Sequence, residues 1–158
     1  MSATSPLVRH ADGRSVGRVD PRGQRFAATI TALVLAIALV TVGTALSTAL
    51  IAVQLAVFAV GVALGPARTP YALLFARVVR PRIGAPAETE DARPPRFAQA
   101  VGGALALAGL AASFAEVSVV AAVAVGFALA AALLNAATGF CLGCELYLLA
   151  RRLAPRRA

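Results

Sequence analysis

The sequence contains no lysine and a single histidine, and only 14% of its 158 residues are charged. It has no GxGxxG, P-loop, HExxH or GxSxG motif. These absences leave no basis for assigning the chain to the nucleotide-binding, zinc-protease or hydrolase classes that carry those motifs. The scarcity of charge also argues against a water-soluble domain of this size.

Long apolar segments make up most of the chain, since 59% of the residues are hydrophobic and the mean hydropathy is +0.81. Residues 26–64 carry no charge, and residues 97–137 carry only Glu116. Each segment is long enough for two spans of roughly 17–20 residues, with turns predicted near residues 44–47 and 113–116. The sequence therefore predicts an all-α integral membrane protein with four transmembrane helices arranged as two hairpins.

All fifteen basic residues are arginines, and they fall in three blocks that flank the predicted hairpins. This is the positive-inside pattern, so both termini and the central loop are expected in the cytoplasm. Arginine without lysine in an alanine-rich chain is typical of a high-GC bacterial genome, which indicates the bacterial inner (plasma) membrane and the lipid bilayer as the main partner. A nucleic-acid partner is not expected, because no aromatic or groove-reading residues accompany the arginines.

The expected organisation is one membrane domain between two polar tails. Residues 1–20 are predicted to be a disordered cytoplasmic tail, residues 21–153 the four-span domain and residues 154–158 a basic tail. Within the domain we expect a first half (21–82), a cytoplasmic linker (83–93) and a second half (94–153).

The two halves resemble each other in sequence. GPARTPYALLFARVVRPR at residues 65–82 aligns with GFCLGCELYLLARRLAPR at residues 139–156, which pairs Gly65 with Gly139 and Arg77 with Arg151. Near the start of each half, Gln24-Arg25-Phe26-Ala27 aligns with Pro95-Arg96-Phe97-Ala98. The alignment predicts an internal repeat, and its even number of spans makes the two halves parallel.

Cys141 and Cys144 are the only cysteines, and they form a C-x-x-C pair in the segment GFCLGCEL. This spacing serves dithiol–disulfide chemistry or half of a soft-metal site. A helix break at Gly139 followed by a short helix from about Phe140 would place the pair in a first helical turn, where backbone N–H groups favour a thiolate. The alternative is one continuous tilted helix over residues 117–153, which would bury the cysteines more deeply.

Glu145 lies four residues after Cys141, on the same face of a helix. Its carboxylate is predicted to relay a proton to or from a thiol, or simply to reach the membrane interface or pair with Arg77 or Arg151. The candidate catalytic residues are therefore Cys141 as nucleophile, Cys144 as the resolving cysteine and Glu145.

Three functions remain open at this point. In the first, a dithiol oxidoreductase, a quinone in the bilayer or a soluble thioredoxin-like protein would exchange electrons with the pair. The second is a small transporter or soft-metal permease, which the repeat favours and which the small size and the few polar residues in the spans disfavour. A structural zinc site is disfavoured, because two thiolates fill only half a tetrahedral site and His10 lies in the tail, so a homo-oligomer would have to share four cysteines. The third is a membrane scaffold without chemistry. A permanent structural disulfide is disfavoured on the reducing cytoplasmic side.

Three segments carry a resemblance to a known family: residues 19–26 (VDPRGQRF), 94–99 (PPRFAQ) and 135–147 (NAATGFCLGCELY). They resemble the bacterial membrane-protein family called domain of unknown function 4395, and the resemblance runs from about Val19 to Arg152. No activity is established for that family. The resemblance implies thiol or sulfur chemistry at Cys141 and Cys144, with a thioredoxin-like or sulfurtransferase protein as partner.

Overall fold

The computed structural model describes residues 17–153, which form an all-α protein. Four long helices are each long and apolar enough to cross a bilayer: α1 (Pro21–Val40), α2 (Ala45–Leu64), α5 (Arg93–Phe114) and α6 (Ser118–Thr138). The shorter elements are a 3-10 turn (Pro66–Arg68), α3 (Pro70–Leu74), a π-helical turn (Phe75–Val79), α4 (Arg80–Ile83) and α7 (Leu142–Leu153). The predicted class, an integral membrane protein with four transmembrane helices, is confirmed.

Local capping signals set the two hairpin turns. α1 ends at Val40, and the Thr44 hydroxyl accepts a hydrogen bond from the backbone N–H of Ser47 (3.3 Å), which starts α2. The second turn contains Glu116, whose φ of 58° is the only positive φ of a non-glycine residue in the described chain. The first turn thus lies slightly earlier than predicted, and the second, at residues 115–117, lies slightly later.

Each spanning helix packs against two others: α1 against α2 and α6, and α5 against α2 and α6. Leu35, Ile51 and Val125 are completely buried or nearly so at the centre of this arrangement. Large apolar side chains elsewhere on the same helices are exposed, including Val40, Phe114 and Val119. An apolar exterior around a small core is what a lipid environment permits, because lipid chains solvate such side chains.

One end of the bundle, which we call the basic end, contains the first residues of α1 and α5 and the last residues of α2 and α6. There Arg96 of α5 donates to the carbonyls of Val62 (2.6 Å) and Ala63 (3.2 Å), while Arg25 of α1 donates to carbonyls at the end of α6. Each arginine satisfies terminal carbonyls of the other half. The two arginines hold matched positions in the aligned halves, and the repeat itself stays a prediction.

A short antiparallel pairing joins the segments before the two hairpins. Strand β1 (Arg18–Val19) pairs with β2 (Glu90–Asp91), and Val19 is buried. The pairing therefore involves residues that we expected in the N-terminal tail and in the linker. The remainder of both predicted tails, residues 1–16 and 154–158, lies outside the described residues.

Candidate functional site

The cysteine pair sits at a break between the last span and a short helix. α6 ends at Gly139, whose φ of 78° is left-handed and whose N–H donates to the Asn135 carbonyl at 2.8 Å. The chain then turns, and α7 begins at Leu142. The predicted break and short helix are present, and the alternative of one continuous helix over residues 117–153 is wrong.

Cys141 immediately precedes α7 and Cys144 lies in its first turn. Their Cα atoms are 5.2 Å apart and their sulfur atoms form a disulfide. The backbone N–H of Cys144 points to Cys141 Sγ at 3.4 Å, and the N–H of Glu145 donates to the Cys141 carbonyl at 3.0 Å. Cys141 thus occupies the N-terminal capping position of α7, where free backbone N–H groups stabilise a negatively charged sulfur.

Close packing holds the pair against α5. A Cβ added to Gly143 would lie 2.6 Å from both Cα and Cβ of Ala98, so only glycine allows this approach between the two cysteines. Farther along α7, the rings of Tyr147 and Phe97 are 5.8 Å apart. The position of the disulfide relative to the bundle is therefore set by helix packing rather than by a flexible loop.

Two cavities meet at Cys141. The inner cavity, of about 520 Å³, extends from Cys141 and α7 into the bundle and is lined by residues of all four spanning helices. The outer cavity, of about 380 Å³, is lined by both cysteines and by the charged side chains Arg25, Glu90, Asp91 and Glu145. Cys144 lines only the outer cavity, whereas Cys141 lines both.

Glu145 lies beside the cysteines on the outer cavity, as its spacing suggested. Its side chain is exposed, and within the described residues it forms no ion pair with Arg77 or Arg151. The ion-pair interpretation of Glu145 therefore finds no support, while its proximity to the thiols keeps a proton-transfer role available.

A buried polar network lies deeper in the bundle. Tyr71 donates from its hydroxyl to Gln54 Oε1 (3.1 Å), and Gln54 Nε2 donates to Thr31 Oγ1 (3.3 Å). Burial raises the pKa of Tyr71 above its usual value of 10.0, so this phenol keeps its proton and remains a donor. Gln54 itself is completely buried, and within residues 17–153 these two hydrogen bonds satisfy its side-chain amide.

Gln99 is the polar residue that the sequence reasoning missed. It lines the inner cavity, and its buried Oε1 has no hydrogen-bond partner among the described residues. In the sequence, Gln99 is a polar residue within an apolar span, three residues after Arg96. We interpreted Arg96 only as a topology marker. No group of three or more His, Cys, Asp or Glu side chains in residues 17–153 is arranged to hold a metal ion.

Fold and site together define an integral membrane protein of four spanning helices, with a disulfide-forming C-x-x-C pair at the start of a short helix on its basic end. The chain belongs to the family described as Domain of unknown function (DUF4395), whose model matches residues 19–152. The resemblance stated from the sequence is thereby confirmed. Comparison with curated proteins and with solved structures gives no match.

Proposed function

We propose that this protein is a membrane-embedded thiol–disulfide oxidoreductase whose working pair is Cys141 and Cys144. One observation carries the proposal: the pair is close enough to form a disulfide and is only half-buried, at the rim of a cavity that charged side chains also line. A pair with a purely structural role would not need this access. A scaffold without chemistry would need neither the disulfide nor the glycine that fits it against α5.

Cys141 is the better nucleophile of the two. Its sulfur faces the N–H of Cys144 at the start of α7, which stabilises the thiolate once the disulfide is reduced. In the proposed reaction, the Cys141 thiolate attacks a partner disulfide and forms a mixed disulfide, releasing one partner thiol. The Cys144 thiolate then attacks Cys141 Sγ and releases the second thiol.

The exchange is reversible and balanced: reduced protein plus a partner disulfide gives oxidised protein plus two partner thiols. Run backwards, a partner dithiol reduces the Cys141–Cys144 disulfide. A soluble thioredoxin-like protein is the partner we expect at the outer cavity. Both cysteines line this cavity together with charged side chains, and a water-soluble partner can contact such a surface with its thiols. A partner persulfide would transfer its outer sulfur to the Cys141 thiolate: a bond forms to Cys141 Sγ, the sulfur–sulfur bond of the partner breaks, and the partner leaves as a thiolate.

Glu145 is proposed to take up the proton that a thiol releases before attack, since it lines the same cavity as both cysteines. Glu145→Gln should slow exchange with dithiothreitol. Glu116→Gln, at the opposite end of the bundle, is the matched control and should leave the rate unchanged. Equal rates in the two variants would remove Glu145 from the mechanism.

The orientation follows from the arginines, which cluster at the basic end. We place this end, both termini and the cysteine pair on the cytoplasmic side of a bacterial inner membrane. Reporter fusions at residues 1 and 158 should both give cytoplasmic signals. A periplasmic signal from either terminus would overturn this orientation.

The central test of the oxidoreductase is trapping. A Cys144→Ser variant leaves the Cys141 thiolate unable to be resolved, so it should accumulate a mixed disulfide with its partner, identified by mass spectrometry. Cys141→Ser is the matched control and should trap far less. A redox titration of the purified protein should give a reversible two-electron couple, and a pair inert to dithiothreitol and mild oxidants would refute the proposal in favour of a scaffold.

A further inference from the structure

The inner cavity has the size and composition of a small-molecule site. Its volume of about 520 Å³ lies within the range of roughly 300–1,000 Å³ typical of such sites. Most of its lining is apolar, from side chains such as Phe58, Leu105 and Phe127. The polar groups in this lining include Thr31 and Gln99, and charged side chains line its part at the basic end: Arg18, Asp20 and Arg80. An apolar pocket with sparse polar groups suits a flat ring that carries a few oxygen atoms.

The cavity lining extends to the middle of a spanning helix. Phe127 lies near the middle of α6, lines the cavity and is 66% exposed. This depth, within the apolar part of a bilayer, favours a lipid-soluble molecule over a water-soluble one.

Gln99 supplies a specific contact for such a ligand. Its buried Oε1 has no partner among the described residues, although a buried unpaired acceptor is costly. The amide packs against Gly61, where an added Cβ would lie 2.8 Å from Gln99 Cγ and 2.9 Å from Gln99 Oε1. A rotation of the amide that turns Oε1 from Gly61 toward the cavity would let a hydroxyl on the ligand satisfy this acceptor.

We propose that the inner cavity binds a quinone ring and that the quinone is the electron acceptor for Cys141 and Cys144, an inference that rests on the proposed function. The reaction is balanced: the dithiol loses two electrons and two protons and becomes the disulfide, and the quinone gains both and becomes the quinol. One hydroxyl of the quinol donates to Gln99 Oε1. Cys141 lines this cavity and Cys144 does not, so Cys141 is the sulfur next to the ring.

Binding is tested separately from redox chemistry by using a variant without thiols, Cys141→Ser with Cys144→Ser. The full chain is reconstituted in phospholipid nanodiscs and photolabelled with an azido derivative of a short-chain ubiquinone. We expect saturable labelling of cavity residues that unmodified ubiquinone competes away. Absent or non-saturable labelling, or labelling spread over the lipid-facing surface, would overturn the binding site.

Two conservative substitutions locate the site more closely. Gln99→Leu removes the acceptor at nearly constant volume, and it should weaken binding of the quinol about 3- to 10-fold, the effect of one lost hydrogen bond. Thr31→Val should weaken quinone binding. Thr29→Val is the matched control and should not, because Thr29 is exposed and does not line the cavity. Equal affinities in all three variants would contradict the proposal.

The acceptor role is then measured in the wild-type chain, by reducing the pair, adding the short-chain ubiquinone and following disulfide and quinol formation together. Equal amounts of disulfide and quinol support the proposal. Saturable binding in the thiol-free variant without oxidation of the wild-type pair would overturn the acceptor role, while the binding site and the proposed exchange with soluble disulfides would stand. Oxidation by soluble disulfides without quinone binding would overturn only the quinone site.

Discussion

Gly143 lies between the two cysteines, and its replacement tests how the site is held. A Cβ at this position would lie 2.6 Å from the Cα and Cβ of Ala98, whereas carbon atoms in contact are about 3.5–4.0 Å apart. Gly143→Ala must therefore push α7 away from α5 by about 1 Å. Overpacking of this kind costs about 1–3 kcal/mol, offset by roughly 0.5–1 kcal/mol because alanine favours the helix.

Gly126→Ala is the matched control, because Gly126 is also helical and has open space where a Cβ would be added. We expect Gly143→Ala to have a free energy of unfolding about 1–3 kcal/mol lower than Gly126→Ala, measured in detergent by circular dichroism. In the reduced protein, the displaced helix should also make Cys141 and Cys144 react faster with maleimide. Equal stabilities and equal labelling rates in the two variants would refute the argument that the contact with Ala98 positions the cysteine pair.

Three further changes test the network, the terminal carbonyls and the first helical cap. Tyr71→Phe leaves Gln54 Oε1 buried without a donor and should lower the free energy of unfolding by about 1–3 kcal/mol. Tyr147→Phe is the control: its hydroxyl makes no hydrogen bond in the described chain, so its removal should not change the free energy of unfolding. Equal losses of stability in the two variants would contradict the role of the Tyr71–Gln54 hydrogen bond. Arg96→Leu removes the hydrogen bonds to the last carbonyls of α2 and should lower the free energy of unfolding by about 1 kcal/mol, with partial recovery in Arg96→Lys. A leucine variant as stable as the wild type would show that these hydrogen bonds contribute nothing. For Asp20, burial raises the pKa, but the hydrogen bonds and charge of Arg22 outweigh it and leave the pKa below 3.8. The Asp20 carboxylate should therefore stabilise the fold above pH 3.8, and this stabilisation should be lost as the pH falls through the pKa of the folded state. In an acid titration, Asp20→Asn should not show this loss of stability.

The membrane architecture could be read from the sequence because it depends on local properties. A span needs only enough consecutive apolar residues, and its ends are marked by arginine, proline and glycine. The same holds for the break at Gly139, where a glycine ends one helix and a short amphipathic segment follows. Contact between Cys141 and Cys144 also follows from their spacing, since three residues of one helical turn bring two side chains together.

What the sequence could not determine depends on contacts between residues far apart in the chain. Arg25 caps α6, and Gly143 lies against Ala98, because the hairpins pack with each half against the other. The pairing of Arg18–Val19 with Glu90–Asp91 likewise joins segments that lie far apart in the chain. Alanine-rich helices carry no pattern that specifies which faces meet, because apolar residues occupy both the lipid-facing and the buried sides. Only the tertiary structure could therefore place Gln99 in a cavity beside Cys141, which makes that glutamine part of the site.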